Sequence, residues 1–388
     1  MNLLEEVKSL EEELIKHRRN LHRIPETGLH LPETKEYIKR KLEGLGLKIV
    51  ESKTTSGIMG ILENGSGKVL AVRSDMDALP IREQTGLPFA STNGNMHACG
   101  HDAHMAIVLT VAKILKNHRD RINGVVKFIF QPGEEKEGGA KYLVEEGFLK
   151  EPHVDAILGI HVGNFIEEAD NGQIGLFKGP FMASLDRFTL TVGGKGTHGA
   201  TPHKGIDPIT ISSYIINGFQ SITSRENEVF KPLVISIGKI KGGTAYNVIP
   251  DIVEIEGTVR TLDEETRRFV AKRMEEVSTY IARSFRGESR FTYHFGYPVV
   301  VNDEEITEDF YKKTIKVLPE SDVVFLKKPT MVGEDFSYYL KEVRGTYFFL
   351  SSKGKNPYPH HNPKFDIDES VLWKGVLSIS NYIMETLG

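Results

Sequence analysis

Cysteine is almost missing from this chain: among 388 residues there is one, Cys99. A single cysteine excludes an internal disulfide framework and makes a reducing cytoplasm the expected compartment. Long apolar runs are missing too. The longest stretch falls far short of the roughly 20 residues that cross a bilayer, so no membrane segment is expected. The N-terminal residues are charged throughout and lack the apolar core and cleavage site of a secretory signal. There is no excess of one charge sign either. The formal net charge is -4, with acids and bases interleaved, which argues against a nucleic-acid binder that works by neutralising phosphates. No internal repeat and no low-complexity tract is visible.

What is present is a globular composition, 39% hydrophobic and 26% charged, in a chain long enough for two domains. Apolar periodicity predicts helices over 3–23 and from Pro32 to about residue 45, strands over 57–62 and 68–73, and a helix over 102–116. A strand at 125–131 reads as buried on both faces. A helix at 140–146 and a strand at 154–161 continue the alternation, which is that of an α/β layer with a largely parallel sheet. The rhythm then changes. Strands at 186–192, 233–240, 252–262 and 290–297 enclose helices at 207–223, with Asp207 as N-cap, and at 263–285. This β-α-β-β-α-β order is that of a ferredoxin-like sandwich and is complete in itself. The α/β pattern resumes with a helix at 304–317, a strand at 345–350 and a helix at 369–387. The expected organisation is a discontinuous α/β domain, 1–183 and 299–388, carrying an inserted domain at 184–298.

Residues with metal-ligating chemistry gather at the ends of these elements. His97-Ala98-Cys99-Gly100-His101-Asp102-Ala103-His104 leaves a loop and opens a helix. Thiolate and imidazole two positions apart can reach one ion, and the helix N-terminus is expected to lower the thiol pKa. A capped helix start with solvated histidines would look similar. Gln131-Pro132-Gly133-Glu134-Glu135 follows a buried strand, where open α/β sheets bind ligands. Successive side chains there diverge, so one carboxylate can hold a metal while the other serves as general base. An ordinary charged loop is the competing reading. His161 ends another buried strand and His360-His361 sits between prolines before the last helix. A core histidine and a solvated pair are the plain alternatives. Asp75 and Asp77 share one side of a strand end, where one could orient a ligating histidine. Two glycine-rich turns, 193–203 and 242–250, present His198 and Asn247, or are simply hairpin turns. Together the clusters supply the S, N and O donors of a two-metal hydrolase.

Taken in order, RSDMDALP, HACGHDAH, QPGEE, GIHV, GTHGATPHKGIDP, GGTAYNVIP, VGEDFSYY and HHNPKFDIDE resemble the M20 metallopeptidases. The similarity is to their branch of N-acyl-amino-acid amidohydrolases and thermostable carboxypeptidases. The resemblance implies a two-metal, zinc-peptidase-like catalytic domain with an inserted lid that often mediates dimerisation. It implies Cys99, His101, Glu135, His161 and His361 as ligands, His361 being the one directly before the Asn-Pro step. It further implies Glu134 as general base, Asp77 as the carboxylate that orients the site, and His198 as a lid residue stabilising an oxyanion in the neighbouring subunit. Asn247 and Arg260 are implied as holders of the substrate carboxylate. Asp75 stands where the wider family has a His-x-Asp ligand, and is not carried over. The implied cofactors are two divalent ions, Zn²⁺ or Mn²⁺ with Co²⁺ or Ni²⁺ as possibilities. The implied substrates are small N-acyl amino acids or short peptides, handled by a homodimer or larger homo-oligomer. The alternatives are hydrolysis of another N-acyl or succinyl amide or an ester, a non-catalytic metal-binding relative, and a hydrolase using Cys99 as nucleophile.

Overall fold

The computed structural model describes residues 2–388, which divide into two compact units. The first is built from the segment ending at Gly179 together with Val301–Pro329 and Asp335–Gly388. The second comprises Pro180–Val300 and Thr330–Glu334. The short stretch 330–334 belongs to the second unit although it lies far along the chain.

The first unit is organised by an eight-stranded sheet. Its order is Lys48–Glu51, Ile58–Asn64, Gly124–Gln131, Val69–Asp75, Ala156–Gly163, Gly345–Ser351, Ile174–Leu176 and Val323–Phe325. The four central strands run parallel, and Ile58–Asn64 and Ile174–Leu176 pair antiparallel at their flanks. The sequence reading found every central strand and missed the short ones at 48–51, 174–176 and 323–325, which are too brief for a period to register. All residues of the central strands are buried, as their continuous apolar runs require. Arg73 lies opposite both Ile129 and Gly159, so Asp75 and Gln131 end their strands at one level and His161 of the third strand falls beside them. Ligand-type side chains just past those ends are thereby brought to one edge of the sheet.

Helix His101–Asn117 is buried over nearly its whole length, with Ala103, Ala106 and Ala112 allowing close approach to its neighbours. Helix Leu372–Leu387 joins the same core. The expected helix 3–23 is two, Leu3–Ser9 and Glu11–His22, separated at Leu10, whose N–H still closes the last turn of the first helix on the Glu6 carbonyl.

In the second unit Leu233–Gly242, Ile252–Thr261, Leu185–Gly193 and Glu288–Tyr297 form one antiparallel sheet in that order. Along Leu185–Gly193 burial alternates, so one face is covered and the other is open. The covered face packs Phe188, Leu190, Val253 and Ile255 against Ile215 and Phe219 of helix Pro208–Ser221 and Val270 and Met274 of Glu264–Ser284. Asp207 and Asp263 cap these helices, each accepting from backbone N–H groups of the first turn. Asp186 is fully buried and ion-paired to Arg267, which also donates to the Gly296 carbonyl.

Candidate functional site

At the carboxyl edge of the large sheet the chain makes a sharp turn at Gly100, φ 88°, so that Cys99 and His101 face one space. Cys99 Sγ lies 3.6 Å from His161 Nε2, at the end of strand Ala156–Gly163. His161 Nδ1–H donates to the Val162 carbonyl at 3.1 Å, which leaves Nε2 as the lone-pair nitrogen facing the sulfur. His101 Nδ1–H donates to the Asp77 carbonyl at 2.8 Å, which turns its Nε2 to the cluster, and that buried atom has no hydrogen-bond partner. Glu135 Oε1 is buried and unpartnered in the same sense, 3.9 Å from His101 Nε2 and 3.4 Å from His361 Nε2.

Among the groupings of ligand-type atoms within 4.8 Å of one another are Cys99–His101–His161, Cys99–Glu135–His361 and His101–Glu134–Glu135, and Asp75–His101–His104 adjoins them. The first two share the Cys99 sulfur. All five residues expected as ligands, and Glu134, therefore stand in one cluster of the first unit. His361 reaches it from a loop in which its φ is +63° and its N–H donates to the Ala98 carbonyl at 2.9 Å. His360, left out of the expected set, is half-buried, with its Nδ1 3.5 Å from the same sulfur.

Charge explains what the cluster is suited to hold. Burial works against protonation of His101, but Asp75, Asp77 and Glu135 outweigh it and raise its pKa to about 10. The protein's own groups thus demand a positive charge at that point. Burial, and then the carboxylates of Glu135, Glu134 and Asp75, push the Cys99 thiol well up. The expectation that the helix N-terminus lowers this thiol is overturned: desolvation and three nearby carboxylates exceed the helix dipole. A divalent cation reverses the balance, because a coordinating thiol is deprotonated outright. Buried Nε2 and Oε1 atoms without hydrogen-bond partners, a thiol and two adjacent carboxylates fit such ions well.

Asp77 organises the cluster without facing it. Its Oδ1 accepts the Glu134 N–H at 2.9 Å, its Oδ2 the Glu135 N–H at 3.1 Å, and its carbonyl the His101 ring. One residue thereby fixes both carboxylates' backbone and the His101 tautomer.

His198, Asn247 and Arg260 belong to the second unit. His198 pairs with Val248 across a two-residue bridge, and the Asn247 carbonyl accepts the Gly199 N–H at 2.7 Å, so those two residues are neighbours. His198 is exposed, and its Nδ1 accepts the Ala200 N–H at 3.1 Å, which assigns the proton to Nε2. Arg260 lies on strand Ile252–Thr261, apart from that bridge, and donates to the Met331 carbonyl at 2.9 Å.

Sequence reasoning missed a second buried layer. Arg18 and His22, on helix Glu11–His22, both donate to Asp102 Oδ2, at 2.8 and 2.7 Å. Arg18 also reaches Glu369 and Asp366, and His22 Nε2 faces Glu83 at 3.2 Å. The available signal was position: Arg18 falls between Leu14 and Leu21 on the helix's apolar stripe, where a charge needs a buried partner.

The sequence profile described as peptidase family M20/M25/M40 matches residues 71–385. The chain is 40% identical over 372 residues to the N-acetyl-L-cysteine deacetylase of Bacillus subtilis (strain 168), covering 94% of this chain and 86% of that one. It is 38% identical over 386 residues to thermostable carboxypeptidase 1 of Saccharolobus solfataricus, covering 97% and 96%. Among solved structures, the YXEP protein of Bacillus subtilis, a dinuclear metal-binding peptidase of the M20 family, superimposes with a TM-score of 0.85. Its identity is 35%, with 98% of this chain and 99% of that one covered.

Proposed function

The chain belongs to peptidase family M20/M25/M40 and is a metal-dependent amidohydrolase, and from that premise we propose how its residues divide the work. Two divalent ions would be held by Cys99, His101 and His161 together with Glu135 and His361. The observation that carries this reading is the pair of ligand triads meeting at one sulfur, with Glu134 beside them. When bound, the two ions supply the positive charge that acidifies a water and polarises the scissile carbonyl. A thiolate with imidazoles suits Zn²⁺, and the carboxylate admits Mn²⁺, with Co²⁺ or Ni²⁺ as substitutes.

Glu134 takes the proton of the attacking water and returns it to the leaving nitrogen. Asp77 keeps Glu134 in reach through the backbone bond already described. His198, carrying its proton on Nε2, donates to the developing oxyanion in the neighbouring subunit. Asn247 and the Arg260 guanidinium hold the substrate's free carboxylate, the arginine by its planar fork. The substrates are N-acyl-L-amino acids or peptides cut at the C-terminal bond. The inserted second unit acts as a lid and pairs two copies. The exposed Val234, Ile240 and Ile252 on its sheet support that pairing. No helix among the described residues is long and apolar enough to cross a membrane, and a cytoplasmic enzyme is the reading we adopt.

Replacing Glu134 by Gln tests the division of labour. The variant keeps its metal content and its melting temperature and loses turnover on the order of 10²–10⁴-fold. Activity near wild type would remove Glu134 from the mechanism.

A further inference from the structure

Against the His101 side of the ligand cluster lies a further set of buried groups, with Asp75 Oδ2 3.8 Å from His101 Nε2. Asp75 accepts from His104 Nδ1 at 2.6 Å on one oxygen and from Arg73 Nη1 at 2.9 Å on the other. His104 Nε2 accepts the Val162 N–H at 2.7 Å. These two bonds fix the His104 tautomer and use both ring nitrogens, so this histidine has none to offer a cation. The Val162 carbonyl, on the far side of the same residue, accepts His161 Nδ1–H. Holding Val162 therefore holds the ring whose Nε2 faces Cys99. The turn at Gly100 rests on the same carbonyl: a Cβ there would stand 3.0 Å from Val162 O. Arg73 anchors the other end, donating to Gln131 Oε1 at 2.9 Å and to Asp335 Oδ1 at 2.8 Å. Asp75, His104 and Arg73 are completely buried.

We propose that Asp75 and His104 are positioning residues. Acting through the Val162 peptide, they set the metal affinity of the Cys99–His101–His161 half of the site and leave the Cys99–Glu135–His361 half largely unchanged. The proposal rests on the two-ion reading above and adds an asymmetry to it. His104 stacks on the His101 ring at 5.3 Å and meets the His161 ring edge-on at 4.7 Å, so it touches both histidines of that half.

The test is a Co²⁺ titration of the metal-stripped full chain, followed by visible absorption and the near-ultraviolet thiolate-to-cobalt band, with melting temperatures measured alongside. His104→Gln can place an amide oxygen where Nε2 stands and still accept from Val162. His104→Asn reaches only Asp75. The expected result is that His104→Asn weakens one of the two ions by about 10–100-fold while the other moves less than about threefold, and that His104→Gln recovers most of the loss. Asp75→Asn, which keeps an acceptor for His104 but drops the charge, should weaken the same ion and covers the case in which His104→Asn fails to fold. The proposal is overturned if Asn and Gln titrate alike, or if both ions weaken together in proportion to lost thermal stability. A wild-type chain that takes up no Co²⁺ would overturn the two-ion reading itself, whereas normal uptake by every variant would overturn only the positioning role.

Discussion

Substituting Arg18 by Met removes a buried cation from between three carboxylates and keeps most of its volume. Arg18 is 1% exposed and donates to Asp102, Glu369 and Asp366. Asp102 would be left in the core with His22 as its only charged hydrogen-bond donor among the described residues. Removing one partner of a buried ion pair costs about 3–5 kcal/mol, because the other charge stays desolvated. For a unit of this size that lowers the melting temperature on the order of 10 °C. The loss has a pH signature. Burial acts to raise the Asp102 carboxyl, but Arg18 and His22 overcome it and hold the group far below the usual carboxylate range. A carboxyl depressed in the folded state contributes stability that is present above its unfolded value, about 3.9, and is lost as pH falls through its folded value. Without Arg18 the folded value rises. The deficit should thus be largest at neutral pH and shrink as the pH drops through that raised value. Equilibrium denaturant unfolding at several pH values measures it. A double-mutant cycle with Asp102→Asn should recover part of the loss, since both buried charges are then gone. A deficit below about 1 kcal/mol at pH 7, or one that grows toward acid pH, would refute the reasoning.

Two further perturbations probe the ligand cluster itself. Asp77→Asn turns one of two backbone acceptors into a donor facing the Glu134 or Glu135 N–H, and should lower metal affinity by about 10–100-fold, read by titration against a chromophoric chelator. Gly163→Ala would place a Cβ 2.1 Å from His360 Nε2, at a φ of +151° that only glycine adopts readily. It should displace the histidine loop, cost about 1–3 kcal/mol and weaken metal binding, whereas normal stability with normal metal content would mean that His360 yields freely.

The parts of this protein legible in the sequence are those whose chemistry is local. Cys99 and His101 two positions apart, adjacent Glu134 and Glu135, and His161 at a strand end each have a plain alternative, and it is the set of S, N and O donors that reads as a metal site. A parallel sheet whose strands carry them to one level then brings them together. The strands and helices of the second unit were readable because alternating burial and capped helices follow simple periods, whereas its stretch 330–334 was not. What stayed hidden depends on contacts distant in sequence. Arg18 meets Asp102 across 84 positions and Arg73 meets Asp335 across 262. His104 read as the tail of a metal motif, yet its two nitrogens bond Asp75 and Val162. The thiol's pKa was misjudged because a helix end is visible in sequence while three converging carboxylates are not.

Hydrolysis of N-acetyl-, N-benzoyl- and benzyloxycarbonyl-amino acids by the metal-stripped chain, with and without Zn²⁺, Mn²⁺ or Co²⁺, tests the central claim most directly. The account predicts turnover only when metal is restored, with the acyl preference separating a deacylase from a carboxypeptidase. Full turnover in the stripped chain, abolished by alkylating Cys99, would contradict it.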